Sequence, residues 1–423
     1  MKKYNNLLER SLGLKDAVGV GLGAIIGAGI FVVTGVAAGV SGPAFLIGLF
    51  VAGCIATCNA LSSAQLAAQY PFAGGTYDYG NRLLSPLWGF SAGWMFLISK
   101  LSAGSVVAIG FGSYFYQLTG LGSPLALAIA AIVLLTIANL LGIKKAGTLN
   151  LFIVGFTILA LLYFVISGFP EIKQTNFKPF APFGVQGIAE SAALLFFAFT
   201  GYARIATLAE EVQNPKKTIP KAIIITIVSA IILYGLVSVT AIGVMGYEAM
   251  AQTTAPLQLV SNSLNTPLIK TVVALGACTA MLGVLLSQIL GISRMFFAMG
   301  RNSDFFPVFQ KVNEKRKVPV IAILFTATVI ALLTLFGTFI FVLAAAAFTI
   351  LLYYSITNIA ALKQSKADRL YPEWVPILGL TGCLAMAVSL NKNVVISGIV
   401  LLLLGWIFRW LLHRFLKTNS PQN

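Results

Sequence analysis

Gly19-Val20-Gly21-Leu22-Gly23-Ala24-Ile25-Ile26-Gly27-Ala28-Gly29-Ile30-Phe31 is apolar enough to lie in a bilayer, yet too rich in glycine to lie there as one unbroken helix. Each glycine weakens a helix by about 1 kcal/mol relative to alanine. Glycines that only pack helices together keep to one face; here the Gly27-Ala28-Gly29 cluster and its neighbours run around the axis, which predicts a break. Phe196-Phe197-Ala198-Phe199-Thr200-Gly201-Tyr202-Ala203 is a second apolar stretch with glycine near mid-span.

The flanking sequence fixes the solvent. Of 423 residues, 58% are hydrophobic and 9% charged, with a mean hydropathy of +0.92, against roughly 25% charged residues in a soluble domain. Apolar stretches of about 20 residues, the thickness of a bilayer core, recur from Leu14 onward. Twelve spans are predicted, starting near Asp16, Pro43, Trp88, Pro124, Gly147, Gln186, Ala222, Leu268, Val318, Thr338, Val375 and Val394. The expected fold class is an all-α membrane protein, one transmembrane domain over 1–423. The two glycine-broken spans are the first and sixth, and an offset of five inverts orientation. Residues about 14–168 and about 186–363 therefore read as inverted-topology repeats, followed by two additional helices over about 374–416. Interrupted spans at matching positions of such halves point to a transporter binding site.

The net charge of +16 does not indicate nucleic acid, because the basic residues sit in short loops between apolar runs rather than in a stripe with interleaved aromatics. With the N-terminus in the cytoplasm, 23 Lys and Arg fall inside and four outside (Lys173, Lys178, Lys270, Lys392), leaving Lys100 within a span. The positive-inside rule then places both termini in the cytoplasm of a multi-pass protein of the cell membrane. The first apolar segment is long and lacks a small-residue cleavage site, so it reads as a retained helix. Cys54, Cys58, Cys278 and Cys383 lie in apolar spans without His or carboxylate neighbours and read as packing residues. An enzyme is not expected: the one histidine, His413, ends the last span, and neither a cofactor motif nor a cluster of metal ligands or paired aspartates lies within the bilayer. Repeated filter loops and rings of charge, the marks of a channel, are also missing.

The motifs, taken together, resemble one family. Gly23-Ala24-Ile25-Ile26-Gly27-Ala28-Gly29-Ile30-Phe31 is similar to the helix 1 signature of the amino acid-polyamine-organocation transporters. Tyr70-Pro71-Phe72-Ala73-Gly74-Gly75-Thr76-Tyr77-Asp78-Tyr79, with Gly89-Phe90 and Gly93-Trp94, resembles the second motif. The Phe196–Tyr202 segment with Ala209-Glu210-Glu211-Val212-Gln213-Asn214-Pro215 and Ile219-Pro220, then Ser293-Arg294 with Met299 and Arg301, follow in order. The resemblance implies an amino acid permease with the LeuT-type fold of two inverted five-helix repeats plus two C-terminal helices. It also implies a substrate site between helices 1 and 6. Around Ile25, the main-chain N–H groups of Ile26, Gly27, Ala28 and Gly29 would hold a carboxylate at the positive end of a half-helix. Beside Gly201, the carbonyls of Phe197, Ala198 and Thr200 would accept from the ammonium, and the rings of Phe197, Phe199 and Tyr202 would close the site. Where many relatives place an acid after the helix 6 glycine, Ala203 and Arg204 stand here, which favours a small or medium neutral amino acid over a cationic one.

Ionisable groups inside spans are costly and therefore functional candidates. Lys100, about two turns after Gly93-Trp94, cannot snorkel to an interface; burial disfavours the ammonium form, making it the candidate proton carrier. Glu190 opens helix 6 and reads first as a helix-start cap. Some proton-coupled relatives carry a helix 5 lysine where this chain has Thr157, so hydroxyls such as Thr157 and Ser287 are the alternative, as sodium ligands. A proton is the expected coupling ion, the substrate and membrane lipids the expected partners. Glu210 and Glu211 read equally as gate or solvated surface. Sodium-coupled or exchange transport of other amino acids or amines, and a non-transporting amino acid sensor, stay open.

Overall fold

The structure is a computed structural model that describes residues 12–70, 74–141, 146–202, 205, 212–313 and 318–418. Helices build nearly all of it: α1 (Leu14–Ile25), α2 (Thr34–Ser41), α3 (Phe45–Gln69), α4 (Thr76–Leu83), α5 (Pro86–Thr119), α6 (Pro124–Leu141), α7 (Ala146–Gly168), α8 (Gly184–Phe199), α9 (Pro215–Met245), α10 (Tyr247–Ala251), α11 (Pro256–Ser263), α12 (Ile269–Arg301), α13 (Val320–Phe336), α14 (Phe339–Leu362), α15 (Trp374–Ser389) and α16 (Lys392–Thr418). No strand is found among the described residues; a single parallel bridge joins Leu12 to Val212. Nine stretches among the described residues are long and apolar enough to cross a membrane, and α13 and α15 are shorter apolar helices. Local chemistry sets the ends. Ser85 and Pro86 start α5, and Gly120, at φ 68°, stops it by donating to the Tyr116 carbonyl. Pro215 at the first turn starts α9 seven residues ahead of the predicted Ala222, because proline costs nothing where helical N–H groups lack partners anyway.

The first apolar stretch, Leu14–Gln69, reverses at Gly42–Ala44. Glycine contacts show it: Gly29 meets Ala198 and Gly187 meets Val40, so α2 runs antiparallel to α8, whereas Gly48 meets Ser191 and Gly53 meets Phe199, so α3 runs parallel to it. Two faces result. Tyr77, Asp304 and Arg409 meet on one face, to which α12 descends and from which α5 rises, called the terminal face. Gly42 against Pro182 and Tyr163 bonded to Pro267 mark the opposite face. The long α5 is 78% buried over its apolar window and α16 17%, so α5 lies in the centre and α16 on the rim. Outward side chains such as Phe152, Ile166, Phe336 and Val388 are mostly exposed and apolar, which hydrocarbon solvates and water does not.

Candidate functional site: two interrupted helices against a buried lysine

Helix α1 stops at Ile25. Ile26 turns extended (φ −75°, ψ 94°), and the chain resumes as a π-helical turn, Gly29–Val33, continuous with α2. Helix α8 stops at Phe199 and tightens into a 3₁₀ turn, Thr200–Tyr202. The two interruptions lie directly on each other. A Cβ on Gly201 would sit 2.0 Å from the Ala24 carbonyl oxygen, and one on Gly29 would sit 2.6 Å from the Ala198 Cα. Only glycine permits this approach, which explains its place in both sequences.

Hydrogen bonding narrows the free main chain. The Ile26 N–H closes the last turn of α1 onto Leu22 (2.7 Å), so it is not among the freed donors expected from sequence. The Ile25 carbonyl accepts from Tyr234 of α9 (2.7 Å) and the Phe31 carbonyl from Tyr114 of α5 (2.7 Å). The N–H groups of Gly27 and Ala28 meet no acceptor among the described residues. On the other segment, the Phe197 carbonyl takes both the Thr200 N–H and the Thr200 hydroxyl (3.0 Å), so it too is occupied. The Thr200 carbonyl accepts from Tyr354 of α14 at 3.4 Å. Tyr202 stacks at a tilt on Tyr354, and Phe199 packs between Gly53 of α3 and Tyr234.

Lys100 projects from the middle of α5 to this place. Its Nζ is 3.5 Å from the Thr200 hydroxyl and 5.9 Å from the centre of the Phe96 ring. The other coupling candidates stand elsewhere. Thr157 is fully buried and spends its hydroxyl on the Ile153 carbonyl (2.8 Å) and the Gly276 carbonyl (3.4 Å). Ser287, bonded back to Val284 (2.9 Å), is eleven residues further along α12 than Gly276, about 16 Å along a helix axis. The structure does not bring Thr157 and Ser287 together. Glu190 is half-buried in the second turn of α8, which begins at Gly184, so it is not a helix-start cap. Ala203, Arg204, Glu210 and Glu211 lie outside the described residues.

Burial is uneven around the interruptions. From Ile26 to Ala38 every residue is buried, whereas Leu22, Gly23, Ala24, Lys100, Gly201, Ser287 and Gln288 are partly accessible. The opposite face is covered by α10 and α11: a Cβ on Gly35 would sit 2.7 Å from the Met250 carbonyl, and one on Gly39 2.9 Å from Ala251. Tyr114 ties this cover down by also accepting from the Leu257 N–H (3.2 Å).

The terminal face holds a cluster that joins Tyr77 and Asp78 of the second motif to residues far along the chain. Asp304, just past α12, accepts from Tyr77 of α4 (2.7 Å) and pairs with Arg409 of α16 (2.8 Å), while His413 stands 3.6 Å away. These groups border a cavity of about 470 Å³ that also touches Asp78, Asn81 and Arg82. Burial pushes the Asp78 carboxyl above its ordinary value, with Arg82, the Gly74 N–H and Arg301 pulling the other way. Tyr77 and Asp78 stand out in a motif and His413 as the one histidine, yet isolated acids and bases in a long sequence give no sign that they meet.

An all-helical, multi-pass protein with two interrupted helices in contact at its centre has the architecture of a membrane transporter. The chain belongs to the amino acid permease family, whose pattern its residues 12–410 match. It is 38% identical over 402 residues to an uncharacterized transporter of Mycobacterium tuberculosis, covering 94% of this chain and 90% of that one. It is 35% identical to a branched-chain amino acid permease of Bacillus subtilis (77% and 74% covered) and 33% identical to a methylthioribose transporter of the same organism (74% and 72%).

Proposed function

We propose that the protein is a secondary active transporter that takes up small or medium neutral amino acids with protons by alternating access. The observation that carries this reading is Lys100 reaching the helix 6 interruption, where that segment rests on the helix 1 interruption. An amino acid brings a carboxylate and an ammonium, each costly in hydrocarbon without a partner. The unpaired N–H groups of Gly27 and Ala28, at the positive end of a half-helix, suit the carboxylate; the main chain from Ala198 to Thr200 suits the ammonium. Lys100 moves the proton, its charge felt at Thr200 and so at the substrate. The antiparallel contact of the two interruptions supports the LeuT-type arrangement, with twelve spans, inverted repeats near 14–168 and 186–363, and both termini cytoplasmic. In that orientation the described state is closed to the outside and accessible from the cytoplasm. Thr157, Ser287 and Glu190 take no part in proton transfer in this reading.

The first test is a thermal-stability screen of the purified protein, since a ligand that binds the folded state alone raises its apparent stability. Neutral amino acids are expected to raise the melting temperature, in competition with one another. The similarity to a methylthioribose transporter supports a second reading, in which a methylthio sugar occupies the same place. Stabilisation by such a sugar and by no amino acid would select it.

A further inference from the structure

We propose that Gln288 of α12 reads the substrate side chain and selects neutral amino acids that carry a hydrogen-bond donor there, a hydroxyl or a primary amide. The Gln288 Oε1 is buried and has no hydrogen-bond partner among the described residues. Buried amide oxygens are almost always bonded, so an orphan in a packed helix calls for a function. Its position supplies one. Val284, one turn earlier on the same helix face, presses on the helix 1 interruption: its Cγ2 lies 2.6 Å from where a Gly27 Cβ would be. Helices α5 and α12 run antiparallel and touch through Gly93 against Met299 and Gly110 against Met281. Between those contacts Gln288 falls opposite Ala103, about one turn from the level of Lys100. A Cβ on Gly291, three residues on, would meet nothing within 4 Å, so α12 is loosely packed one turn from Gln288. The neighbouring Ser287 directs its hydroxyl proton to the Val284 carbonyl, whereas the Gln288 oxygen, an acceptor only, has no donor among the described residues.

The inference rests on the substrate site proposed above. A site built around a hydrogen bond discriminates strongly against an analogue that lacks the donor, whereas shape alone discriminates weakly. Threonine and valine have nearly the same shape, so their ratio isolates this bond. Competition against a labelled substrate in proteoliposomes is expected to show threonine binding at least tenfold more tightly than valine. In Gln288→Met, which keeps volume and removes the acceptor, the ratio is expected to fall to within about twofold of unity with the melting temperature unchanged, since no protein group bonds to that oxygen. A wild-type ratio near one, or an equal loss for both amino acids in the variant, would overturn the assignment. Failure of the wild type to take up any amino acid would instead overturn the proposed site, so the two failures are distinct.

Discussion

The ammonium of Lys100 lies 3.5 Å from the hydroxyl of Thr200, which joins the centre of the most buried long helix to the interruption of α8. A cation at mid-bilayer on a helix costs about 3 kcal/mol on insertion scales, and a structural role is poorly served by a partner as weak as a hydroxyl. Lys100→Ala is expected to remove the dependence of uptake on the proton gradient, lowering accumulation at least tenfold while the protein still reaches the membrane. Initial rates of uptake at several external pH values check this. Unchanged proton dependence removes Lys100 from the mechanism.

The glycines at the two interruptions are predicted to be intolerant, unlike others of the same chain. Gly201→Ala and Gly29→Ala each drive a methyl group into main chain that cannot rotate away; such overpacking costs about 1–3 kcal/mol, and uptake is expected to be lost. Gly235→Ala, where a Cβ meets nothing within 4 Å, is expected to leave uptake and melting temperature near wild type. Equal tolerance at all three positions would contradict the close contact.

Tyr114 holds the cover of the opposite face through the Phe31 carbonyl and the Leu257 N–H. Tyr114→Phe removes both bonds, worth about 1 kcal/mol each, and should shift the balance toward states open on that face. The readout is a cysteine at Thr34, wholly buried under the cover, in a background without the native cysteines. Labelling by a membrane-impermeant thiol reagent is expected to rise several-fold.

Arg409 and Asp304 form a pair whose side chains are 18% and 6% exposed. Removing one partner strands the other charge, so Arg409→Ala is expected to destabilise the protein by on the order of 3 kcal/mol, and adding Asp304→Asn to recover much of that. Thermal melting in detergent reports both.

Sequence exposed the interruptions because glycine composition is a local property: Gly27 and Gly201 stand where the helices stop. Lys100 was legible for a similar reason, since an ionisable group amid Phe96, Leu97 and Leu101 is conspicuous by itself. Partnerships were not legible. That Tyr234 and Tyr114 claim the carbonyls on either side of the helix 1 interruption depends on how α5 and α9 pack, although a phenol in an apolar helix does announce that it needs a partner. The distance between Thr157 and Ser287, and the meeting of Tyr77, Asp304 and Arg409, arise from contacts between elements far apart in the chain. The seventh span is predicted to start near Ala222, yet proline at a first turn begins the helix at Pro215.

The most direct measurement is accumulation of a labelled neutral amino acid by proteoliposomes that hold the purified protein and an inward proton gradient. Saturable uptake above equilibrium that collapses when a protonophore is added, and that proceeds without sodium, is the predicted result. Binding without uptake, or accumulation that follows sodium and ignores the proton gradient, would contradict it.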